Sequence, residues 1–296
     1  MNVNIATSIY HPNIPLKGVF VIIHGMSEHR KRYDDFAKFL SENGYGVFTY
    51  DQIGHGETAS SNEELGYFGK KDGFKSLVYY AYHMCLEAKK EFKDVPLYVF
   101  GHSMGSIVAR SLLKNHPDVM QALILSGPPN YQLLVRPGRA FSKILCFIQG
   151  DKKRNKYLKG MIFGNFGKQF GSEVENSWLS VNKENVLNYN NDELCGFNFT
   201  NKGYYDMLTG LLDIHDTNHY LVNNTSKPIL IVAGKDDPVI GKDSGIKTTI
   251  KDLEKPGYKN IELKLYENAR HELLFENIHE EVYKDILEWV KKFDFN

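Results

Sequence analysis

The sequence Gly101-His102-Ser103-Met104-Gly105 sets a serine between two glycines, where a strand-like run meets a helix-like run. The apolar run Pro96–Phe100 before it is typical of a short strand, and Ile107–Asn115 after it has apolar residues at helical spacing. A serine at a tight strand-to-helix turn has its hydroxyl pushed out of the fold, at the positive end of a helix. Side chains at the two glycine positions would collide with the neighbouring strand and helix. The pattern therefore predicts an outward-pointing, reactive serine at the end of a strand.

Strand-like and helix-like segments alternate along most of the chain. The strand-like runs are Gly18–His24, Tyr45–Asp51, Pro96–His102, Ala122–Gly127, Pro228–Gly234 and Ile261–Glu267. The helical patterns are Tyr33–Asn43, Gly73–Phe92, Met104–His116 and His279–Phe293. This alternation predicts an α/β fold with a mostly parallel central sheet flanked by helices. Ligands bind beyond the carboxyl ends of the strands in such sheets, and Ser103 lies at one of those ends.

The alternation stops between Pro128 and about Tyr220, where strand signals are few and aromatic residues are many. The segment starts directly after a strand end, so it should hang over the sheet edge that carries Ser103. We interpret residues 128–220 as an inserted, mostly helical lid (cap), with residues 1–127 and 221–296 forming the core. Its aromatic residues include Tyr131, Phe141, Phe147, Phe163, Phe166, Phe170, Trp178, Phe197, Phe199, Tyr204 and Tyr205.

The first part of this lid is strongly basic. Between Arg136 and Lys168 it has nine lysines and arginines against one acid, Asp151. The plain interpretation is a solvated surface, and the alternative is attraction to anionic lipid head groups or phosphate-bearing substrates. Transient contact between the lid and a lipid surface is therefore a hypothesis to test.

Composition and charge exclude several classes of protein. The chain has 296 residues, of which 42% are hydrophobic and 24% charged, as in ordinary soluble globular proteins. A formal net charge of zero gives no ground for a nucleic-acid partner. The three cysteines are widely spaced and favour reduced thiols. No signal peptide or bilayer-length apolar run is visible, so we expect a cytoplasmic protein. We also expect no stable protein partner.

A serine hydroxyl needs a base to remove its proton and a third group to orient that base. In this kind of fold the chain order is serine, acid, histidine. The strand that ends at Gly234 is followed by Asp236 and Asp237, and the next strand is followed by His271. Asp237 is favoured over Asp236, because a residue before proline is biased toward extended backbone that suits a loop leaving the sheet. We predict Ser103 as nucleophile, His271 as base and Asp237 as orienting acid.

The same chemistry needs hydrogen-bond donors for a developing oxyanion. The backbone N–H of Met104, directly after the nucleophile, is one candidate, and that of Met26, in the loop after the first predicted strand, is the other. Gly25 beside it permits close approach of the backbone. Gly25 and His102 are predicted to contact the substrate.

Two weaker patterns point elsewhere. His215-Asp216-x-x-His219 sets two histidines four positions apart near Asp213, but no matching third cluster exists, so a hinge at the end of the lid is favoured over a metal site. Gly54-x-Gly56 lacks the third glycine of a dinucleotide-binding loop. We therefore expect neither a metal nor a cofactor.

With these residues in place, the chain resembles the monoacylglycerol lipase and lysophospholipase branch of the α/β-hydrolase fold, often labelled serine aminopeptidase-like hydrolases. The blocks that carry the likeness are His24–His29, Asp51–Thr58, Gly101–Ser106, Gly234-x-x-Asp237 and Ala269–Glu272. The resemblance implies a helical lid that opens onto an acyl-chain channel. It gives Ser103, Asp237 and His271 the triad roles and the backbone of Met26 and Met104 the oxyanion roles. It also implies hydrolysis of acyl esters of the monoacylglycerol or lysophospholipid type through an acyl-enzyme, with a small-molecule ester as substrate.

Two alternatives stay open. One is amide hydrolysis by an aminopeptidase of the proline type. Such enzymes more often carry tryptophan where Met104 stands, and they need a lid acid for the substrate's amino group, which the basic lid does not obviously supply. The other is a non-catalytic binding protein on a hydrolase scaffold, against which the intact serine, aspartate and histidine argue.

Overall fold

A seven-stranded sheet forms the centre of the molecule, seen in a computed structural model that describes residues 3–130, 135–163, 166–171 and 174–293. The strands are β1 (Thr7–Tyr10), β2 (Gly18–Ile23), β3 (Tyr45–Tyr50), β4 (Leu97–His102), β5 (Ala122–Ser126), β6 (Ile229–Gly234) and β7 (Ile261–Tyr266). They lie in the order β1-β3-β2-β4-β5-β6-β7. β1 pairs antiparallel with β3, and the other pairs are parallel. The predicted, mostly parallel sheet of an α/β fold is confirmed.

The six predicted strands are all present, with each end within one residue of its predicted position. β2 to β6 are buried along their whole length, as strands covered on both faces must be. The sequence analysis missed β1, a four-residue edge strand whose residues alternate between exposed and half-buried. Such a short strand carries too few apolar residues to stand out from a loop.

Nine α helices lie in the described ranges, and none of them has the length and apolarity needed to cross a membrane. They are α1 (Asp34–Glu42), α2 (Gly73–Glu91), α3 (Met104–Asn115), α4 (Val135–Gln149), α5 (Lys156–Phe163), α6 (Lys183–Asn191), α7 (Asn201–His215), α8 (Lys242–Glu254) and α9 (His279–Lys291). The four helices predicted from the sequence correspond to α1, α2, α3 and α9. The sequence analysis missed α8, in which Gly245 and the pair Thr248-Thr249 weaken the helical signal.

Two hydrophobic layers cover the sheet. Alternate residues of β2 point to opposite faces, as the period of a strand requires. Phe20 and Ile22 pack in one layer with residues of α1 and α9, while Val19, Val21 and Ile23 pack in the other with residues of α2 and α3. This three-layer arrangement covers both faces of β4, the strand that leads into Ser103.

The inserted segment (residues 128–220) follows β5 and contains α4 to α7. Its last helix, α7, packs against α4 and also against the core helices α2 and α3. Asp213 near the end of α7 accepts a hydrogen bond from Lys114 Nζ of α3 at 3.0 Å. The division into core and lid at residues 127 and 221 stays a prediction, because α7 lies against both parts.

Candidate active site

The turn between β4 and α3 holds Ser103 in a conformation that side chains rarely adopt, with φ 51° and ψ −119°. A Cβ at Gly101 would lie 2.6 Å from the carbonyl oxygen of Gly105, and a Cβ at Gly105 would lie 2.1 Å from that of Ile23. Both distances are far below van der Waals contact, so the structure confirms that the turn needs both glycines. The Ser103 N–H donates to the carbonyl of Ser126 in the adjacent strand at 2.9 Å, which anchors the turn to β5.

The structure brings the three predicted side chains together in one hydrogen-bonded line. His271 Nε2 lies 2.8 Å from Ser103 Oγ, and His271 Nδ1 lies 2.8 Å from Asp237 Oδ2. The second carboxylate oxygen of Asp237 accepts from the Val239 N–H at 2.8 Å. This fixes the carboxylate and, through it, the imidazole, so that the unprotonated Nε2 faces the serine hydroxyl.

The structure also separates the two candidate acids. Asp237 is 2% exposed and bonded to His271, whereas Asp236 is exposed and donates its backbone N–H to the carbonyl of Ala269 at 3.0 Å. The preference for Asp237 therefore agrees with the geometry.

The electrostatics of the site favour the protonated form of His271. Burial disfavours the charged imidazole, but the charge and hydrogen bond of Asp237 outweigh burial, so the pKa of His271 lies above its ordinary value. His102 behaves in the opposite way. Burial and the nearby His271 lower the pKa of His102 to about 4, so its ring is neutral near neutral pH. The two imidazoles, whose centroids are 4.8 Å apart, therefore do not compete for a proton.

The loop after β2 lies directly beside the serine. A Cβ at Gly25 would be 3.3 Å from Ser103 Cβ, which confirms the close backbone approach predicted for Gly25. His24 Nε2 accepts from the Gln52 N–H at 3.0 Å, so in the neutral ring Nδ1 carries the proton and donates to the Gly25 carbonyl at 2.8 Å. Burial lowers the pKa of His24, which keeps the ring neutral. The Gly25 carbonyl accepts the hydrogen bond from His24. Because a trans peptide places its C=O and N–H on opposite sides, the Met26 N–H points away from that carbonyl.

An open cavity with about 140 Å³ of accessible volume lies over this site. Gly25, Met26, His102, Ser103 and Met104 all border it, so the predicted oxyanion and substrate-contact residues share one cavity. Its walls are mostly apolar and come from the inserted segment, α3 and the loop after β6. The main apolar wall residues are Ile107, Val135, Met161, Ile162, Leu179, Met207, Leu208, Leu211 and Val239.

The aromatic residues of the inserted segment divide into two groups. Phe166, Trp178, Phe197 and Tyr204 line the cavity. In contrast, Phe147 is 92% exposed and faces away from it. Tyr131 and the side chain of Phe163 lie outside the described residues. Only part of the set of aromatic residues noted in the sequence therefore lines the cavity.

A buried ion-pair network under the loop after β2 was missed by the sequence analysis. Arg32 Nη1 lies 2.5 Å from Glu28 Oε2 and 2.7 Å from Glu272 Oε1. Glu28 also accepts from the Gly25 N–H and, at 2.8 Å, from the Tyr33 hydroxyl. Burial alone would raise the pKa of Glu28, but Arg32 and the other partners hold it at about 2. The network holds Gly25 by its backbone N–H. Through Arg32 it also links Gly25 to Glu272, the residue after His271.

Further contacts join the inserted segment to the loops that carry the site. Ser27 Oγ donates to the Phe197 carbonyl at 2.7 Å. The buried carboxylate of Glu276 accepts from Ser180 Oγ at 2.7 Å and from the Arg270 N–H at 2.8 Å. The inserted segment is thus bonded on one side to the loop after β2 and on the other to the loop of His271.

The two histidines of the His215-Asp216-x-x-His219 pattern are held apart by different carboxylates. His215 Nδ1 bonds to Asp252 of α8, and His219 Nδ1 lies 2.6 Å from Asp216 on the exposed surface. Both act as local structural contacts at the end of α7, and the hinge stays a prediction.

One other group of metal-ligand type occurs in the described part of the chain, where ligand atoms of His29, Asp192 and Cys195 lie within 4.8 Å of one another. His29 Nε2 already forms an ion pair with Asp192 Oδ2 at 2.8 Å. Burial raises the pKa of the Cys195 thiol, which disfavours the thiolate that a metal would need. We interpret the group as another contact between the loop after β2 and the inserted segment.

This fold and this site define a serine hydrolase built on the α/β-hydrolase fold. Residues 14–278 match the family described as serine aminopeptidase, S33. The chain therefore belongs to that family.

Similar proteins include named lipases. A monoglyceride lipase homolog of monkeypox virus is 25% identical over 283 residues, which cover 95% of this chain and 90% of that protein. The human monoglyceride lipase is 25% identical over 280 residues, covering 93% of this chain and 83% of that protein.

Solved structures of low sequence identity share the fold. A carboxyl esterase from Bacillus coagulans in complex with glycerol has a TM-score of 0.88 at 24% identity, covering 98% of this chain and 94% of that one. A monoglyceride lipase variant from Saccharomyces cerevisiae in complex with a substrate analog has a TM-score of 0.75 at 21% identity, covering 99% and 92%. Both likenesses extend over nearly the whole chain.

Proposed function

We propose that this protein is a carboxylic-ester hydrolase that cleaves acyl esters of the monoacylglycerol or lysophospholipid type through an acyl-enzyme on Ser103. The observation that carries the proposal is the hydrogen-bonded line Ser103–His271–Asp237, whose serine and histidine border a mostly apolar cavity. The similar proteins named monoglyceride lipase support the substrate class.

In the first half of the reaction, Ser103 Oγ attacks the ester carbonyl while His271 Nε2 takes the hydroxyl proton. Asp237 accepts the hydrogen bond from Nδ1–H and stabilises the imidazolium that forms. The negative charge on the carbonyl oxygen is stabilised by the backbone N–H groups of Met26 and Met104. The bond to the alcohol then breaks, and the alcohol leaves with the proton from His271.

In the second half, a water molecule replaces the alcohol. His271 removes a proton from this water as its oxygen attacks the acyl carbon, and the same two N–H groups stabilise the second oxyanion. Collapse of this intermediate breaks the bond to Ser103 Oγ and returns the proton to it. The products are the free acid and the starting enzyme.

The apolar walls of the cavity give the acyl chain its binding energy. Each buried methylene contributes about 0.8 kcal/mol, so a chain that is longer by two methylenes gains roughly tenfold in binding as long as the cavity holds it. The substrate should therefore have a medium or long acyl chain rather than an acetyl group.

A series of monoacylglycerols and lysophospholipids with increasing chain length tests the substrate class, with Ser103→Ala as control. We expect kcat/KM to rise with chain length up to the limit of the cavity, and turnover to fall on the order of a millionfold in the control. Near-parental ester hydrolysis by Ser103→Ala would refute the proposal.

Amide hydrolysis is the alternative that the family description raises. A substrate with a free amino group needs an unpaired acid in the cavity. Among the described lining residues the acids are Glu28 and Glu272, and both are paired with Arg32. Comparison of p-nitrophenyl acyl esters with aminoacyl p-nitroanilides separates the two activities, and we expect turnover of the esters alone.

We also propose that α4 and α5 make transient contact with a lipid surface. Phe147 and Ile148 at the end of α4 are 92% and 70% exposed, and Tyr157 in α5 is 83% exposed. Basic residues surround them in the sequence, among them Lys143 and Lys156. Exposed apolar residues next to basic ones are the features that hold amphipathic helices at anionic interfaces.

A further inference from the structure

Trp178, in the inserted segment, lies directly against the imidazole of His271. The centroids of the two rings are 5.3 Å apart and their planes are inclined by 38°. Trp178 also borders the cavity, and its ring contacts Phe166 edge-on at 5.4 Å. A residue outside the proposed triad therefore contacts the one side chain that changes charge during the reaction.

The backbone around Trp178 is held by the residues on either side of that imidazole. Arg270 Nη1 donates to the Ser177 carbonyl at 2.6 Å, and the Glu272 N–H donates to the Leu179 carbonyl at 2.8 Å. The residues before and after Trp178 are thus bonded to those before and after His271. Two hydrogen bonds at matching positions set the indole against the imidazole.

This placement has an electrostatic consequence. The face of an aromatic ring attracts a cation, tryptophan does so most strongly, and exclusion of water increases the effect. His271 is buried. Three carboxylates, each from a different loop, favour its protonated form: Asp237, Glu272 and Glu28. Two of these carboxylates are already paired with Arg32, and the neighbouring ring of His102 is neutral near neutral pH. The imidazolium therefore depends on Asp237 and on the uncharged groups around it.

We propose that Trp178 is a positioning residue for His271, which holds the imidazole in line with Ser103 and stabilises its protonated form through the indole ring. The proposal deepens the proposed function and rests on it, because His271 becomes cationic in that mechanism. It also gives the inserted segment a role in the chemistry, in addition to its role in the cavity wall.

The pH dependence of kcat/KM on a short, soluble ester tests the role. Trp178→Leu keeps an apolar cover over His271 but removes the ring, and Trp178→Phe keeps a weaker ring. We expect the acid limb, where His271 becomes protonated, to move to lower pH by about half a unit in Trp178→Leu and by less in Trp178→Phe. We expect kcat to fall about threefold in Trp178→Leu, since the imidazolium is less stable in the transition state.

Phe197→Leu is the matched control. Phe197 lines the same cavity, but its ring contacts His55 at 5.4 Å and Phe199 at 6.0 Å. This variant should raise KM for long acyl esters and leave the acid limb unmoved. If Trp178→Leu gives the same result, with KM raised and the acid limb unmoved, Trp178 is only a cavity wall and the proposal is wrong.

Fluorescence gives a second readout that needs no turnover. The chain has two tryptophans, so Trp289→Phe leaves Trp178 as the only indole. A protonated imidazole in contact with an indole quenches its emission. We expect emission to fall on acidification with the midpoint of the acid limb, and His271→Gln to abolish this transition.

Emission without such a transition, or a transition that persists in His271→Gln, overturns the proposal. If Trp289→Phe does not fold, the difference in emission between the parent and Trp178→Phe gives the same curve. Because the fluorescence measurement does not use substrate, it stays readable even if the ester-hydrolase function is refuted.

Discussion

At the level of single residues, the proposed mechanism depends on how Asp237 orients the imidazole of His271. Asp237 accepts from Nδ1–H, so the ring presents an unprotonated Nε2 to Ser103 Oγ. A neutral amide at the same position could instead donate its N–H₂ to Nδ1. That would place the imidazole proton on Nε2, where it blocks the removal of the serine proton.

Asp237→Asn should therefore lower kcat by about ten-thousand-fold while leaving the fold intact. Asp236→Asn is the matched control, because Asp236 is adjacent and exposed and its contact uses only its backbone N–H. Initial rates on a p-nitrophenyl ester measure both variants, with circular dichroism to check folding. Equal losses in the two variants would contradict the assignment of Asp237.

The sequence predicted the site residues that belong to the strand ends, because serine, acid and histidine follow strands in a fixed order. It did not predict the contact between Trp178 and His271, nor the contacts of Arg32 and Glu276. Trp178 contacts His271 only because the path of the inserted segment brings it there, and no local sequence pattern predicts that path. Arg32 reads as an ordinary surface charge until its two buried carboxylate partners are known.

At the scale of elements, the turn between β4 and α3 depends on the close approach of α3 to β2. Gly105 is the contact point, since a Cβ there would meet the carbonyl oxygens of Ile23 and His24 at 2.1 and 2.5 Å. The first turn of α3 also carries the Met104 N–H. Displacement of α3 from β2 would therefore disturb both packing and oxyanion stabilisation.

Gly105→Ala should destabilise the protein by about 2–3 kcal/mol and lower kcat, because backbone atoms have to move to make room. Gly160→Ala in α5 is the control. No atom lies within 4 Å of a Cβ at Gly160, and alanine in a helix is more stable than glycine by about 0.5–1 kcal/mol. Urea unfolding measures both variants. A Gly105→Ala protein as stable as the parent would contradict this explanation of the turn.

Buried elements were predicted well from the sequence and marginal ones were not. β2 to β6 are continuous apolar runs, which only a doubly covered sheet explains. β1 and α8 lie at the margins of the core and carry mixed sequences. Their structure depends on pairing with β3 and on packing against the sheet, which local propensity does not encode.

At the scale of the whole molecule, the exposed apolar residues of α4 and α5 form the surface proposed to meet lipid. Phe147→Ser combined with Ile148→Ser should reduce binding to anionic vesicles several-fold, because both remove exposed apolar area. Leu187→Ser in α6, which removes a side chain that is 54% exposed, is the control and should bind as the parent does. Cosedimentation with vesicles of phosphatidylserine and phosphatidylcholine measures binding.

Reversal of the charges at Lys143 and Lys156 should also weaken this binding, and added salt should mimic the effect. Vesicle binding that is unchanged by both the serine and the charge-reversal substitutions would rule out the surface formed by α4 and α5 as the contact.

Trapping of the acyl-enzyme shows whether Ser103 is the nucleophile. The protein is mixed with a slowly hydrolysed p-nitrophenyl acyl ester, quenched in acid and digested, and the peptides are analysed by mass spectrometry. We expect a single acyl adduct on Ser103. It should be absent from Ser103→Ala and should form far more slowly in His271→Gln. An adduct on another residue, or formation in His271→Gln at the parental rate, would contradict the proposed mechanism.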